Sequence, residues 1–438
     1  MTATPSIEPP VPEGVSARRT PWLTGVAIFV VVMTPLLAYL APLGFAPLLA
    51  LAGLLALPGL KPSRAAAPPL LILLALALWA AVSMAWSPDA VDVSKLKGYG
   101  DIESLTGLKL FLQLATYGAA VVALRGLSDA GARRAATILA YGMLGLIVVA
   151  TLDSLSGAAV YQKLHLLTGK AIRPDFAMIK VSMSTYILAL MFWPAALTLS
   201  RQSRSLLIWL MAIGLIVTSV VCSADACILA LLAGGLVWLC VRLFGGTAAK
   251  VLVGLVAAPF VLAPLAVLVG VETGAIAKLH ALVPPSWDAR LNIWTFAADH
   301  VQNHPFRGWG LDASRTFGSA IPLHTHNAQL QLWLELGAIG AALAGVFFCW
   351  MAYEVVRLAE RSREEAAMAA GALVSYLVIG ALSFGVWQEW WLALGALTLI
   401  ACDLARAVDQ SDERGWMDLP RWGDISASVA MILPFGRG

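Results

Sequence analysis

Charge is what this sequence has least of. Of its 438 residues only 13% are Asp, Glu, Lys or Arg, against 60% hydrophobic, and the mean hydropathy is +0.81. A soluble domain carries roughly twice that charge fraction, so the composition excludes a soluble enzyme and implies a polytopic membrane protein. A net charge of +3 describes loops rather than a nucleic-acid surface, and no nucleic-acid partner is expected. Cysteine is scarce and unpatterned. Cys222, Cys227, Cys240, Cys349 and Cys402 all fall in apolar stretches, without disulfide or zinc-ligand spacing, so no metal site is expected. Nothing like a phosphate-binding glycine loop appears, and no cofactor is expected. Met1 to Thr20 is polar and Pro-rich, and no small-residue cleavage site follows the apolar run from Trp22. That run is therefore expected to stay as a membrane span.

What the chain does have is length of apolar sequence. A span needs about 20 apolar residues, and twelve stretches qualify, from 22–41 to 390–406. The positive-inside rule orients them. With the N-terminus in the cytoplasm, eighteen of the 29 basic residues lie on the inner side, among them Arg18, Arg19, Arg125, Arg201, Arg204, Arg242, Arg357, Arg361, Arg363 and Arg406. Both termini are then cytoplasmic. The expected organisation is a weakly ordered leader over 1–21, nine helices over 22–271, an outer loop over 272–327, three helices over 328–406 and a cytoplasmic tail over 407–438.

The other basic residues cluster in three outer loops. Lys95, Lys97 and Lys109 read as ordinary solvated charge. Lys163, Lys170, Arg173 and Lys180, and then Lys278, Arg290, Arg307 and Arg315, are interleaved with apolar and aromatic residues. An anionic ligand on the outer face explains them, since arginine grips phosphate oxygens through paired hydrogen bonds. The last cluster lies in the one long loop, Glu272 to Thr325, and loops of that size without a task are uncommon. Its sequence predicts a helix capped by Asp288, stopped at His304-Pro305, then a tight Gly308-Trp309-Gly310 turn presenting an exposed aromatic. The loop is expected to lie as a lid over the outer membrane surface.

"HTHNAQLQLWLELGAIG", His324 to Gly340, follows. Polar groups at the mouth of a span are costly unless used. Asn327 is a good cap for a helix running from Ala328, and Gly337 and Gly340, one turn apart, would let a neighbouring helix approach. His326 would sit by the helix N-terminus, whose partial positive charge attracts phosphate and keeps the imidazole neutral, able to take a proton from a hydroxyl. Glu335 reads as a hydrogen-bonded partner of a neighbouring helix, and Trp387 to Trp391, around Glu389, as an aromatic belt.

These residues resemble the O-antigen ligase-like superfamily. "HNAQLQLWLELGAIG" is similar to its His-Asn, nine residues, Gly-x-x-Gly signature, "HPFRGWGLDASRTFG" to the segment preceding it, "ARLNIW" to the opening of its periplasmic loop, and Trp86 to Asp89 to an early loop feature. The motifs concentrate in Asp288 to Gly340, while the topology is similar over the whole chain. The resemblance implies an all-α, GT-C-like protein of about twelve helices in the bacterial inner membrane, with one long periplasmic loop between helices 9 and 10. Its implied activity is metal-independent transfer of a glycan from undecaprenyl diphosphate, on the periplasmic face, to lipid A–core or to another lipid-linked glycan. It carries His326 over as the catalytic residue and Arg290 as a diphosphate-binding one. Arg173, Lys180, Arg307, Arg315, His324 and Asn327 are the candidate supporting, substrate-binding residues. One position departs: Asp225 stands about where the family has a second phosphate-binding arginine. Either Arg173 or Lys180 supplies that charge, or this chain handles its donor differently. A transporter is the rival from another class, but transporters favour midplane charges and internal repeats, and neither is evident.

Overall fold

The computed structural model describes residues 13–61, 64–89 and 105–408, with side chains from residue 21 onward. Lys95, Lys97, most of the leader and nearly all of the tail lie outside the described residues. Those described form helices, 3₁₀ turns and connections, with no strand among them.

Each of the twelve expected apolar stretches falls on a helix. Among the described residues, ten helices are long and apolar enough to cross a membrane. Two others fall just short. Ser205–Val221 is apolar but has 17 residues, and Glu389–Arg406 has 18 but includes Glu389, Asp403 and Arg406. The protein is a multi-pass membrane protein. The helices are labelled α1 (Glu13–Leu40), α2 (Phe45–Ala56), α3 (Ala67–Ser83), α4 (Thr106–Leu124), α5 (Asp129–Leu155), α6 (Ala159–Leu166), α7 (Pro174–Arg201), α8 (Ser205–Val221), α9 (Asp225–Phe244), α10 (Gly246–Glu272), α11 (Ala275–His280), α12 (Pro285–Val301), α13 (Ala328–Ala359), α14 (Arg363–Leu382) and α15 (Glu389–Arg406).

Without water to hydrogen-bond, every main-chain group in a span needs a partner in the protein. Proline makes that visible. Pro264 cannot donate to the carbonyl of Phe260 one turn earlier in α10, and Trp333 of α13 supplies the missing donor, its Nε1 lying 2.7 Å from that oxygen. Small residues set the helix contacts, as expected where lipid removes the hydrophobic drive between helices. Trp193 of α7 lies against Gly234 of α9 and Gly371 of α14, where a methyl group would come within 2.7 Å and 2.6 Å of its ring. Its Nε1 donates to Ser375 Oγ at 2.8 Å, and that hydroxyl donates to the Ala230 carbonyl at 3.2 Å.

At one end of the bundle, the end of α7 meets the start of α14 and the end of α15. Arg201 pairs with Glu365 at 2.8 Å and donates to the carbonyls of Ala405, Arg406 and Val408, capping α15. Arg406 also pairs with Glu365, Arg125 with Asp403 and Arg242 with Glu364. The long connection before α13 lies at the opposite end.

Helix α13 does not run unbroken. Gly337 has φ 65° and ψ −165°, a conformation that ends the hydrogen-bond ladder in mid-helix and suits glycine alone. The connection before α13 fills the break. Trp309 N and Gly310 N donate to the carbonyls of Leu334 and Glu335 at 2.9 Å and 2.7 Å, and Ala338 N donates to the Pro305 carbonyl at 2.8 Å. Trp79 Nε1 of α3 takes the Leu336 carbonyl at 2.9 Å. Gly308 and Gly337 stand back to back: a methyl on Gly337 would lie 2.3 Å from the Phe306 carbonyl oxygen, and one on Gly308 would lie 2.3 Å from that of Glu335. The pair of glycines in the Gly-x-x-Gly stretch thus does not admit a neighbouring helix as its spacing suggests. Gly337 admits the connecting loop, and Gly340 faces the side chain of Leu336 in its own chain.

Candidate active site

The site is built on the residues just before α13. The connection entering it begins with α12, which starts at Pro285 and not at Asp288, because proline's fixed φ suits the first helical position. Asp288 instead lies 2.6 Å from His280 Nδ1. The Trp309 ring is half-buried rather than presented to solvent. It packs with His304, Phe317 and His300, and its Nε1 donates to the His300 carbonyl at 3.0 Å. The segment is a plug keyed into a broken helix more than a lid.

Asn327 Oδ1 accepts from Leu330 N at 2.9 Å, capping α13. Before it, His326 is held at φ 52°, a left-handed conformation uncommon for a residue with a side chain and often stored at functional sites. Three contacts hold it there. Trp294 Nε1 of α12 takes the Thr325 carbonyl at 3.0 Å. His326 N donates to His324 Nδ1 at 3.0 Å. His326 Nδ1 lies 2.9 Å from the Ser383 carbonyl, on the turn between α14 and α15. A carbonyl only accepts, so Nδ1 carries the proton and Nε2 of the neutral ring keeps a free lone pair.

Burial pushes both histidines below the ordinary imidazole range, His324 down to about 3, with the nearby charge of Arg290 acting in the same direction on each. Arg315 adds to the effect on His324, while the Ser383 carbonyl opposes it at His326. Burial, more than the helix end, is what keeps His326 neutral. The two rings lie 4.1 Å apart.

Arg290, half-buried, stacks its guanidinium 5.0 Å from the centre of the Trp287 ring and forms no ion pair with a described residue. Trp287 Nε1 donates to Asp225 Oδ2 at 3.0 Å, so the aspartate at the head of α9 holds the tryptophan under the arginine. Arg315 lies 3.4 Å from Asp312, and exposed Arg307 stacks 5.6 Å over Trp86. The Trp86 segment is itself docked: Ser87 Oγ donates to the Leu311 carbonyl at 2.6 Å, and Leu311 N donates to Ser83 Oγ at 2.9 Å. Arg173 and Lys180 are not gathered in by any contact. Arg173 forks onto Asp175 and is 73% exposed, and Lys180 is exposed on α7, neither bonded to the histidines.

Several supporting residues carry no motif of their own. Glu335 is fully buried and accepts from Trp387 Nε1 at 2.6 Å, Gln331 Nε2 at 3.0 Å and Asp312 N at 3.1 Å. Gln331 Oε1 in turn accepts from Val386 N at 2.9 Å. This one carboxylate ties the plug, α13 and the α14–α15 turn together, a structural role as its sequence context suggests. Trp387, Trp390 and Trp391 are turned inward and buried, so they form packing and not a lipid-facing belt. Among the described residues, no three His, Cys, Asp or Glu side chains gather as a metal cage requires.

Residues 188–345 match the family model described as O-antigen ligase. That segment runs from mid-α7 through the break in α13, and holds Arg290, Arg307, Arg315, His324, His326 and Asn327 but neither Arg173 nor Lys180. That segment is similar to O-antigen ligase. Provisionally named polysaccharide ligases of Rickettsia conorii and Rickettsia prowazekii are each 29% identical to it, over 150 and 145 residues. These matches cover 31% and 30% of this chain and 36% and 35% of those proteins. A third, from Rickettsia bellii, is 31% identical over 136 residues, 27% of this chain and 32% of that protein. The similarity thus spans about a third of the curated relatives, and the matched segment contains His326 and Arg290 but not the α14–α15 turn that bonds to His326.

Proposed function

We propose that the protein is a glycosyltransferase of the bacterial inner membrane, moving a glycan from undecaprenyl diphosphate to an acceptor hydroxyl on the periplasmic face. The observation that carries this is the bare Nε2 of a neutral His326 beside an arginine with no carboxylate partner among the described residues. A lipid diphosphate is already an activated leaving group, so the transfer asks for no nucleotide and no metal. The protein has to hold the diphosphate, orient the acceptor and exclude water. Arg290 stabilises the charge that grows on the diphosphate as the glycosidic bond breaks. His326 Nε2 takes the proton from the acceptor hydroxyl as its oxygen attacks the anomeric carbon, which inverts that centre. Asn327 and His324 orient this group, and Arg307 and Arg315 extend the positive surface. With Asp225 engaged by Trp287, the second phosphate-binding charge falls to these loop arginines or to Arg173 and Lys180.

The favoured acceptor is lipid A–core, which makes the protein an O-antigen ligase. A second lipid-linked repeat unit as acceptor would make it a polymerase. Purified protein in liposomes with undecaprenyl-diphosphate glycan and each acceptor separates these outcomes. A covalent glycan–lipid A product supports ligation and a lengthened lipid-linked chain supports polymerisation. Movement of the donor between leaflets with no new covalent bond would overturn the enzyme and leave a transporter.

A further inference from the structure

The polar groups around His324 can be assigned outward from the main chain. The N–H of His326 can only donate, so His324 Nδ1, 3.0 Å away, accepts and carries no proton. With the ring neutral through burial, its proton is on Nε2. Facing that Nε2, at 3.2 Å, is the amide nitrogen of Gln388, at the head of α15. Two donors repel, while the amide oxygen of the same residue is buried and lacks a hydrogen-bond partner among the described residues. A half-turn of the amide about its last bond resolves both faults, bringing Oε1 to His324 Nε2–H.

For a chain that transfers glycan as proposed above, we infer that Gln388 is a positioning residue of the active site. Its amide oxygen accepts from His324 Nε2–H, fixing the tautomer in which His324 Nδ1 pins the His326 main chain in its left-handed conformation. Three residues from two distant segments thus form one line, Gln388 to His324 to His326. The Ser383 carbonyl, five residues before Gln388, fixes the other side of the His326 ring. The turn between α14 and α15 therefore sets both the backbone and the tautomer of the proposed base, although it lies outside the segment matched by the family model.

The test uses the full chain in lipid nanodiscs with ¹⁵N-labelled histidine. Wild-type protein should show His324 with a bare Nδ1 and a protonated Nε2, and His326 with the reverse, each assigned by its loss in His324→Gln or His326→Gln. Gln388→Met keeps the side-chain length but removes the acceptor. It should mix the His324 tautomers and lower kcat on the order of tenfold to a hundredfold, with KM for the lipid donor within about twofold. Gln388→Glu keeps an acceptor and should restore kcat at alkaline pH. Its carboxylate favours the His324 imidazolium, which cannot accept from His326 N, so the acid limb of the rate should move to higher pH. The charged and titratable groups already acting on His324, namely Arg290, Arg315 and His326, are untouched in both variants, and Glu389 is engaged by Lys109. A proton on His324 Nδ1 in the wild type, or unaltered tautomer and kcat in Gln388→Met, overturns the inference. A wild-type protein that transfers no glycan overturns the proposed function, while the tautomer measurement still decides the hydrogen-bond line.

Discussion

The two ends of the helical bundle treat positive charge differently. Where α7, α14 and α15 meet, arginines are consumed by the fold: Arg201 and Arg406 share Glu365, Arg125 takes Asp403, Arg242 takes Glu364, and Arg201 also caps a helix. At the end with the long connection Arg315 and Arg173 also meet carboxylates, but Arg290 and Arg307 lie on tryptophan faces with no carboxylate among the described residues. An aromatic face orients a guanidinium while leaving its N–H groups free. The same residue type thus stabilises at one end, while at the other Arg290 and Arg307 stay available for a ligand. The histidines follow that division. His324 and His326 lie at the end with unspent arginines, and a backbone strain that an ordinary helix start does not need is maintained there.

Substitutions on the two sides should therefore fail differently. The largest effect is expected for His326→Ala, which should lower the transfer rate by on the order of a hundredfold to ten-thousandfold, as removal of a general base does, without loss of folded protein. Reconstituted transfer, normalised to monodisperse protein, measures it, and full activity would remove His326 from the chemistry. Arg290→Ala should cost on the order of tenfold to a thousandfold. Arg290→Lys should recover only part, because an ammonium neither stacks on Trp287 nor grips two oxygens at once.

Arg201→Met is the contrasting case. It leaves Glu365 with a lost partner in a setting where Arg201 and Glu365 are only 10% and 15% exposed, and breaking a buried pair costs about 3 kcal/mol. The denaturation midpoint should fall, while transfer per folded molecule stays unchanged. A loss of turnover without a loss of stability would mean that the two ends are coupled. Gly337→Ala sits between these extremes. A side chain in the left-handed region costs about 1–2 kcal/mol, and here it also meets the Phe306 carbonyl. The plug should loosen, lowering stability and turnover together, whereas Gly235→Ala in α9, where a methyl meets open space, should do neither.

How much of this was legible in the sequence differs between the same two ends. Spans are legible because twenty apolar residues admit few other readings, and the paired arginines fall where alternating spans place them. The motif before α13 is legible as a candidate site, since His-Asn at a span's mouth is costly without use. Its architecture was not. Gly337 in an apolar helical run looks like a packing glycine, and only the opposing Gly308, 29 positions earlier, reveals a break. Ser383 and Gln388 act through a carbonyl and an amide some 60 residues beyond the histidines, so no local spacing marks them. Trp387 looked like a membrane anchor for lack of any sign that buried Glu335 needed its N–H. Long-range hydrogen bonds that complete a broken helix leave no period to find.

The smallest effect is one of pH, and it again separates the ends. Burial and Arg290 hold His326 below the ordinary histidine value of 6.5, so Nε2 remains a bare acceptor as pH falls through that value. The transfer rate should therefore keep its plateau at pH 6.5 and drop only below it. Stability falls in the same direction but from a higher pH. An unfolded chain protonates both histidines near pH 6.5, while the folded chain keeps them neutral, so the unfolded state binds more protons between that value and the folded-state values, about 3 for His324. Stability is then present in full above pH 6.5 and is progressively lost as pH falls below it. His324→Gln should flatten part of this slope in a denaturation series, whereas Arg201→Met should shift the whole curve downward and leave the histidine-dependent slope intact. An Arg201→Met curve lacking that slope would mean that the histidines are neutral only because the far end holds the helices in place.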